Sequence, residues 1–163
     1  MEQDFLLTLR KVKAISDYQF GTKITDILFD NSEKVHVSFS KNTGTIRHVY
    51  YDNNLMLNFR PDNGFFTLTL FAAKRIISNI STPKLRVIVL NEISEFIKKG
   101  RNVFCKHVID IDADLRALDE VIVVNQDDEL LAIGKLMFPT PYVKSFKRGI
   151  AVNVRKGLNK SKI

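Results

Sequence analysis

Few residues of this 163-residue chain carry the side chains of catalysis: one cysteine, Cys105, and three histidines, His36, His48 and His107. Cys105 and His107 stand two apart, on one face of an expected strand, and His36 and His48 could face each other across a hairpin turning near Asn42 and Thr43. Structural zinc needs four assembled ligands, so the expectation is an inert strand thiol and two histidines on a solvated sheet face. Asp110, Asp112 and Asp114 alternate as carboxylates of a cation loop can, but the glycine and distal glutamate of a calcium loop are missing. Asp110 or Asp112 capping a short helix is expected instead. Asp127, Asp128 and Glu129 are expected at a hairpin tip in solvent. No P-loop, dinucleotide-binding glycine pattern, paired helical histidines or serine elbow occurs. No catalytic residue, cofactor or metal is therefore expected.

Segregated charge stands out more. The formal net charge is +7, residues 110–129 hold eight acids against the single base Arg116, and residues 144–162 hold seven bases and no acid. A local positive field suits phosphate, whereas a solvated basic tail is the plainer alternative. In "SFKRGIAVNVRKG" (145–157), Ile150, Val152 and Val154 alternate as the inward side of a strand. Lys147, Arg148, Arg155 and Lys156 bracket them, and Arg155 should point outward beside Ala151 and Asn153. Phe104, Tyr142 and Phe146 adjoin Lys106, Lys144 and Lys147, a mixture that can stack on unpaired nucleotides. Gly134 falls inside an expected strand, which implies a bulge or a close approach by a backbone or ligand.

The elements that must position these residues follow from periodicity. Phe5, Leu9, Val12 and Ile15 mark a helix, and "TDILF" a second, capped by Thr22 or Thr25. "KVHVSFS", "TIRHVYY", "LMLNFR" and "FFTLTL", separated by "KNTG", "DNN" and "PDNG", form a four-stranded meander, followed by a helix at "FAAKRIISNI". "STP" at 81–83 marks a boundary between domains 1–83 and 84–160. The second domain reads as a strand "KLRVIVL", a helix "NEISEFIKKG" capped by Asn91 and Gly100, a strand "NVFCKHVIDI", a short helical "DADLRAL", and three further strands "DEVIVVN", "ELLAIGKLMF" and "RGIAVNVRK". The fold class is α+β: a meander sheet with helices, then a compact β-barrel. One cysteine permits no internal disulfide, the apolar runs are too short to span a membrane, and "MEQDFLLTLRK" lacks a signal-peptide layout, so a cytoplasmic protein is expected.

"GRNVFCKHVIDIDADLR", "DEVIVVNQDDELLAIGKL" and "SFKRGIAVNVRKG" resemble the PUA domain, an RNA-binding module named after pseudouridine synthases and archaeosine transglycosylase. "ISDYQFG", "FSKNTGTIRHVY" and "NFRPDNGFFTLTLFAAKRII" are similar to the domain preceding PUA in archaeal tRNA-guanine transglycosylases. One position departs, His107, where an aromatic or apolar residue is expected. The resemblance implies a PUA-type barrel over 84–160 and tRNA as partner, held at its acceptor stem and CCA end. It implies phosphate contacts from Lys106, Lys135, Lys144, Lys147, Arg148, Arg155 and Lys156, with Gly134 allowing close approach. The family's catalytic barrel, with its aspartate nucleophile and zinc site, would lie before Met1 and has no counterpart in this sequence. The expectation is thus a non-catalytic tRNA-binding subunit serving a separate transglycosylase chain in archaeosine modification. The alternatives are a free-standing PUA-domain translation or ribosome-associated factor, or a subunit of a later archaeosine-forming step.

Overall fold

The structure, a computed structural model, describes residues 2–160 and divides into two compact units, Met1–Asn79 and Ile80–Ile163. The first unit runs α1 (Glu2–Phe20), α2 (Thr22–Leu28), β1 (Val35–Phe39), β2 (Ile46–Tyr51), β3 (Asn54–Arg60), β4 (Phe65–Leu68) and α3 (Leu70–Asn79). Its strands form the expected antiparallel meander in the order β1-β2-β3-β4. Two residues, Asp52 and Asn53, turn β2 into β3 with φ of 50° and 65°, the left-handed pair that matches strand twist. Val37, Val49, Leu57 and Leu68 lie in register across all four strands and are all buried. Leu9, Val12, Ser16 and Phe20 form the buried stripe of α1; Phe5, expected there, stays 37% exposed. Neither threonine caps α2. Gly21 occupies that position, and the Thr25 hydroxyl, inside the helix, donates to Ser16 Oγ at 2.7 Å.

Arg75 of α3 locks this unit together. Its guanidinium donates to the Leu28 and Ile27 carbonyls at the end of α2, at 2.8 and 2.7 Å. It also lies 3.8 Å from the Tyr51 ring centre and pairs with Asp30 at 3.1 Å. Tyr51 in turn donates its hydroxyl hydrogen to Asp30.

The second unit runs β5 (Arg86–Val89), α4 (Ser94–Lys98), β6 (Val103–Phe104), β7 (Val108–Ile111), β8 (Glu120–Val124), β9 (Leu130–Leu136), α5 (Thr140–Ser145) and β10 (Ile150–Gly157). The strand order is β6-β10-β9-β8-β5-β7, antiparallel except for β5 beside β8, and the strands curl into a nearly closed, barrel-like sheet. Every residue of β8 is buried, so its run of valine and isoleucine reads as a core strand. Among the described residues no helix is long and apolar enough to cross a membrane.

Several local expectations give way here. "NVFCKHVIDI" is two strands, because Cys105–His107 turn as a 3-10 segment tied by the Cys105 N–H to the Gly149 carbonyl at 3.0 Å. Cys105 and His107 therefore do not share a strand face. "DADLRAL" forms turns, not a helix. Asp112 is buried, and its carboxylate accepts the N–H groups of Leu85 and Asp114 at 2.8 and 3.0 Å. Asn91 does not cap α4. Its Oδ1 accepts from Gln126 N–H at 2.8 Å, fastening the segment before α4 to the β8–β9 turn. Gly100 does close α4: with φ of 95° it donates to Ile97 at 2.9 Å, while Arg101 N–H reaches the Phe96 carbonyl at 3.2 Å, the paired bonds of a glycine-ended helix.

The β8–β9 tip is not simply solvated either. Asp128 binds the fully buried Arg86 through Nε at 2.7 Å and Nη2 at 3.1 Å. The same guanidinium donates to the carbonyls of Lys84 and Ile80, at 2.9 and 2.7 Å. The segment entering β5 is thereby bound to the hairpin tip.

Candidate nucleic-acid interface

β10 carries the basic segment, but its side chains do not simply alternate. Register shifts against β6 between Ile150 and Val152, and against β9 between Val154 and Lys156. Each irregularity changes which face a residue meets. Ala151 and Val152 are consequently both fully buried while Ile150 is 36% exposed, which corrects the expected inward set. Asn102 serves one irregular stretch, its Oδ1 accepting the Val154 N–H at 2.9 Å.

Arg155 is not a free rim cation. Its Nη1 meets both oxygens of Glu120, at 2.6 and 2.9 Å, and Glu120 is only 4% exposed. A buried carboxylate is costly without a partner, so Arg155 serves the barrel. Gly134 is also removed from the surface. A Cβ there would lie 2.3 Å from the Asn153 carbonyl oxygen and 2.9 Å from Val154 Cα. The close approach inferred from its sequence position is that of the protein's own strand β10.

The other six cations of the expected site, all exposed, fall into one cluster and two outliers. Lys106 lies in the turn after β6, Lys144 on α5, and Lys147 and Arg148 in the loop from α5 to β10. The bond from Cys105 to Gly149 and the pairing of Phe104 with Ile150 hold these pieces together, and α5 packs against β7 and the 105–107 turn. Lys144 meets Asp110 at 3.6 Å with both side chains more than half exposed, a weak pair in water. Lys135 stands opposite Asn153 on β9. Lys156 lies beyond the second register shift, six residues after Ile150, about 20 Å along an extended strand.

Aromatic side chains lie within the cluster. Phe104, Tyr142 and Phe146 are 45%, 52% and 40% exposed. Phe146 contacts both Tyr142 and Phe138, with ring centres 5.5 and 5.4 Å apart, and His107 meets Phe104 edge-on at 6.3 Å. Exposed rings beside exposed bases can stack on nucleobases while the cations take phosphates. Helix α5, which presents Tyr142 and Lys144, was not anticipated. At six residues with Pro141 in its first turn, it is too short for a periodic signal, although buried Val143 anchors it.

The remaining chemical groups are otherwise engaged. Burial pushes the Cys105 thiol above its ordinary range, which disfavours the nucleophilic thiolate. His36 stands opposite Tyr50, not His48, and the His48 ring is hydrogen-bonded to Asn58 at 2.7 Å. Among the described residues no three metal-binding side chains gather.

This barrel-like sheet with its basic, aromatic rim falls in a stretch of known class: residues 85–158 match the PUA domain, an RNA-binding module. More particularly, residues 10–83 match patch-forming domain C2 of tRNA-guanine transglycosylase, so C2 and PUA domains follow one another. The chain is 42% identical over 152 residues to the tRNA-guanine(15) transglycosylase of Methanobrevibacter smithii, covering 93% of this chain and 23% of that protein, at its C-terminal end. It is 40% identical to that of Methanosphaera stadtmanae, over 90% of this chain and 22% of the relative. It thus spans about a quarter or less of the length of these curated relatives. A hypothetical protein of Pyrococcus horikoshii OT3 shares the fold with a TM-score of 0.75 at 22% identity, over 94% of this chain and 91% of its own. A conserved PUA domain protein of Thermoplasma acidophilum does so with a TM-score of 0.62 at 16% identity, over 91% and 92%.

Proposed function

We propose that this chain is a non-catalytic tRNA-binding subunit that positions the acceptor stem and CCA end for a separate tRNA-guanine transglycosylase chain. The observation that carries this reading is the match itself: 93% of the chain aligns with only 23% of the relative, its C-terminal part. Lys106, Lys144, Lys147 and Arg148 hold phosphates near the 3′ end, and Tyr142, Phe146 and Phe104 offer faces to its unpaired bases. Lys135 and Lys156 extend the field along the strands. Phosphate contacts fix register and orientation without reading sequence, which suits a module that grips a common tRNA end. Chemistry on the target base belongs to the partner.

The test is tRNA binding by the purified chain across a salt series. Four phosphate contacts predict a log–log salt slope of about −3 to −4, with affinity falling when the CCA end is trimmed. A transglycosylase catalytic chain should co-purify from source cells. Indifference to trimming together with no such co-purifying chain would overturn the reading.

A further inference from the structure

The first helix carries an apolar surface that its own domain does not use. The core stripe of α1 is Leu9, Val12, Ser16 and Phe20, yet Leu6 and Leu7 remain 54% and 53% exposed. At 3.6 residues per turn, Leu7 lies on the side of α1 opposite that stripe. Gln3, Leu6, Leu7 and Arg10 share the spacing of one helix face, and with Leu9 and Lys13 they line a shallow groove of about 430 Å³. Two adjacent exposed leucines form a contiguous apolar strip on this face, the kind of surface that can mark a protein contact.

We infer that this face of α1 is the docking surface for the transglycosylase chain of the proposed function, an inference that rests on that reading. Leucines offer RNA neither charge nor a stacking face, so an apolar centre flanked by only two cations, Arg10 and Lys13, fits a protein better than RNA. Arg10 and Lys13 at the groove are both basic. A second copy seated face to face would bring like charges together, whereas a partner with an apolar centre and acidic rim would not. Sequence order in the relatives supports the same occupant. Most of their length lies outside the match, and α1 is the matched element nearest that remainder.

The experiment is affinity purification of the tagged chain from source cells, comparing wild type with the double variant Leu6→Gln, Leu7→Gln. Recovered proteins are identified by mass spectrometry, and folding is followed by circular dichroism. The expected result is a transglycosylase catalytic chain on wild type and at least tenfold less on the variant, with tRNA affinity unchanged within twofold. Equal recovery on both overturns the docking surface and leaves the proposed function standing. Recovery on neither overturns the separate-partner reading and this inference with it. A dimer in sedimentation that the variant dissociates makes the occupant a second copy, which also overturns it. Should the double variant misfold, Leu7→Gln alone supplies the same comparison, judged by the same outcomes.

Discussion

Arg155 holds the buried carboxylate of Glu120 through Nη1, at 2.6 and 2.9 Å from its two oxygens. Removing one member of a buried pair leaves a charge uncompensated, typically at a cost of about 3–5 kcal/mol. Arg155→Met should therefore lower the unfolding midpoint of the second unit sharply, while the double variant Arg155→Met, Glu120→Leu recovers much of the loss. Thermal unfolding followed by circular dichroism reads both. Below its melting range the single variant should bind tRNA nearly as wild type does, since Arg155 is not among the exposed cations.

Lys147 and Arg148 predict the opposite pattern. Both are exposed in the loop before β10, and among the described residues neither makes a fold contact of the kind Arg155 makes. Lys147→Gln with Arg148→Gln should weaken tRNA binding about tenfold or more and flatten the log–log salt slope by about 2. The unfolding midpoint should move by less than a degree or two. Filter binding at two or more salt concentrations, beside a thermal scan, checks both halves.

This contrast shows what the sequence could and could not convey. Meander, helices and barrel strands were legible because their apolar periods are long or their turns strongly marked, as at Asp52–Asn53 and Gly100. The basic segment was legible as charge, but not which cations were free. Arg155 and Lys156 look equivalent in sequence; a register shift gives one to Glu120 and leaves the other exposed. Asp128 and Asn91 read as a solvated tip and a helix cap because their partners, Arg86 and Gln126, lie far away in the chain. The shortest elements, α5 and the 105–107 turn, are defined by tertiary contacts that local composition does not encode.

Gly134 tests the strand contact that replaced the ligand reading. A methyl group there would clash with the Asn153 carbonyl and Val154 Cα, both backbone atoms that cannot rotate away. Gly134→Ala should force β9 and β10 apart at a cost of about 1–3 kcal/mol or more. Hydrogen exchange should show the loss first in the amides of β10. If the glycine existed for a ligand instead, the variant would keep its stability and lose only tRNA affinity.

The Asp30–Tyr51–Arg75 group gives the first unit a pH window of its own. The hydrogen bond from Tyr51, with a further contribution from Arg75, holds the Asp30 carboxyl below its ordinary value of 3.8 despite the opposing effect of burial. The same bond to Asp30, then burial, pushes the Tyr51 phenol above its ordinary 10.0. A depressed carboxyl stabilises the folded state above its unfolded value and loses that contribution as pH falls through the folded one. A raised phenol acts in the other direction: its contribution is complete below about 10 and disappears as pH climbs through the folded value. Tyr51→Phe removes the shared hydrogen bond while keeping the ring under the Arg75 guanidinium. The stability difference between wild type and Tyr51→Phe should thus be level from about pH 5 to 9, and narrow both below about pH 4 and above about pH 10. Urea titrations followed through the β2 amide signals would measure it, and a difference independent of pH across those limits would show that the tyrosine stabilises by packing alone.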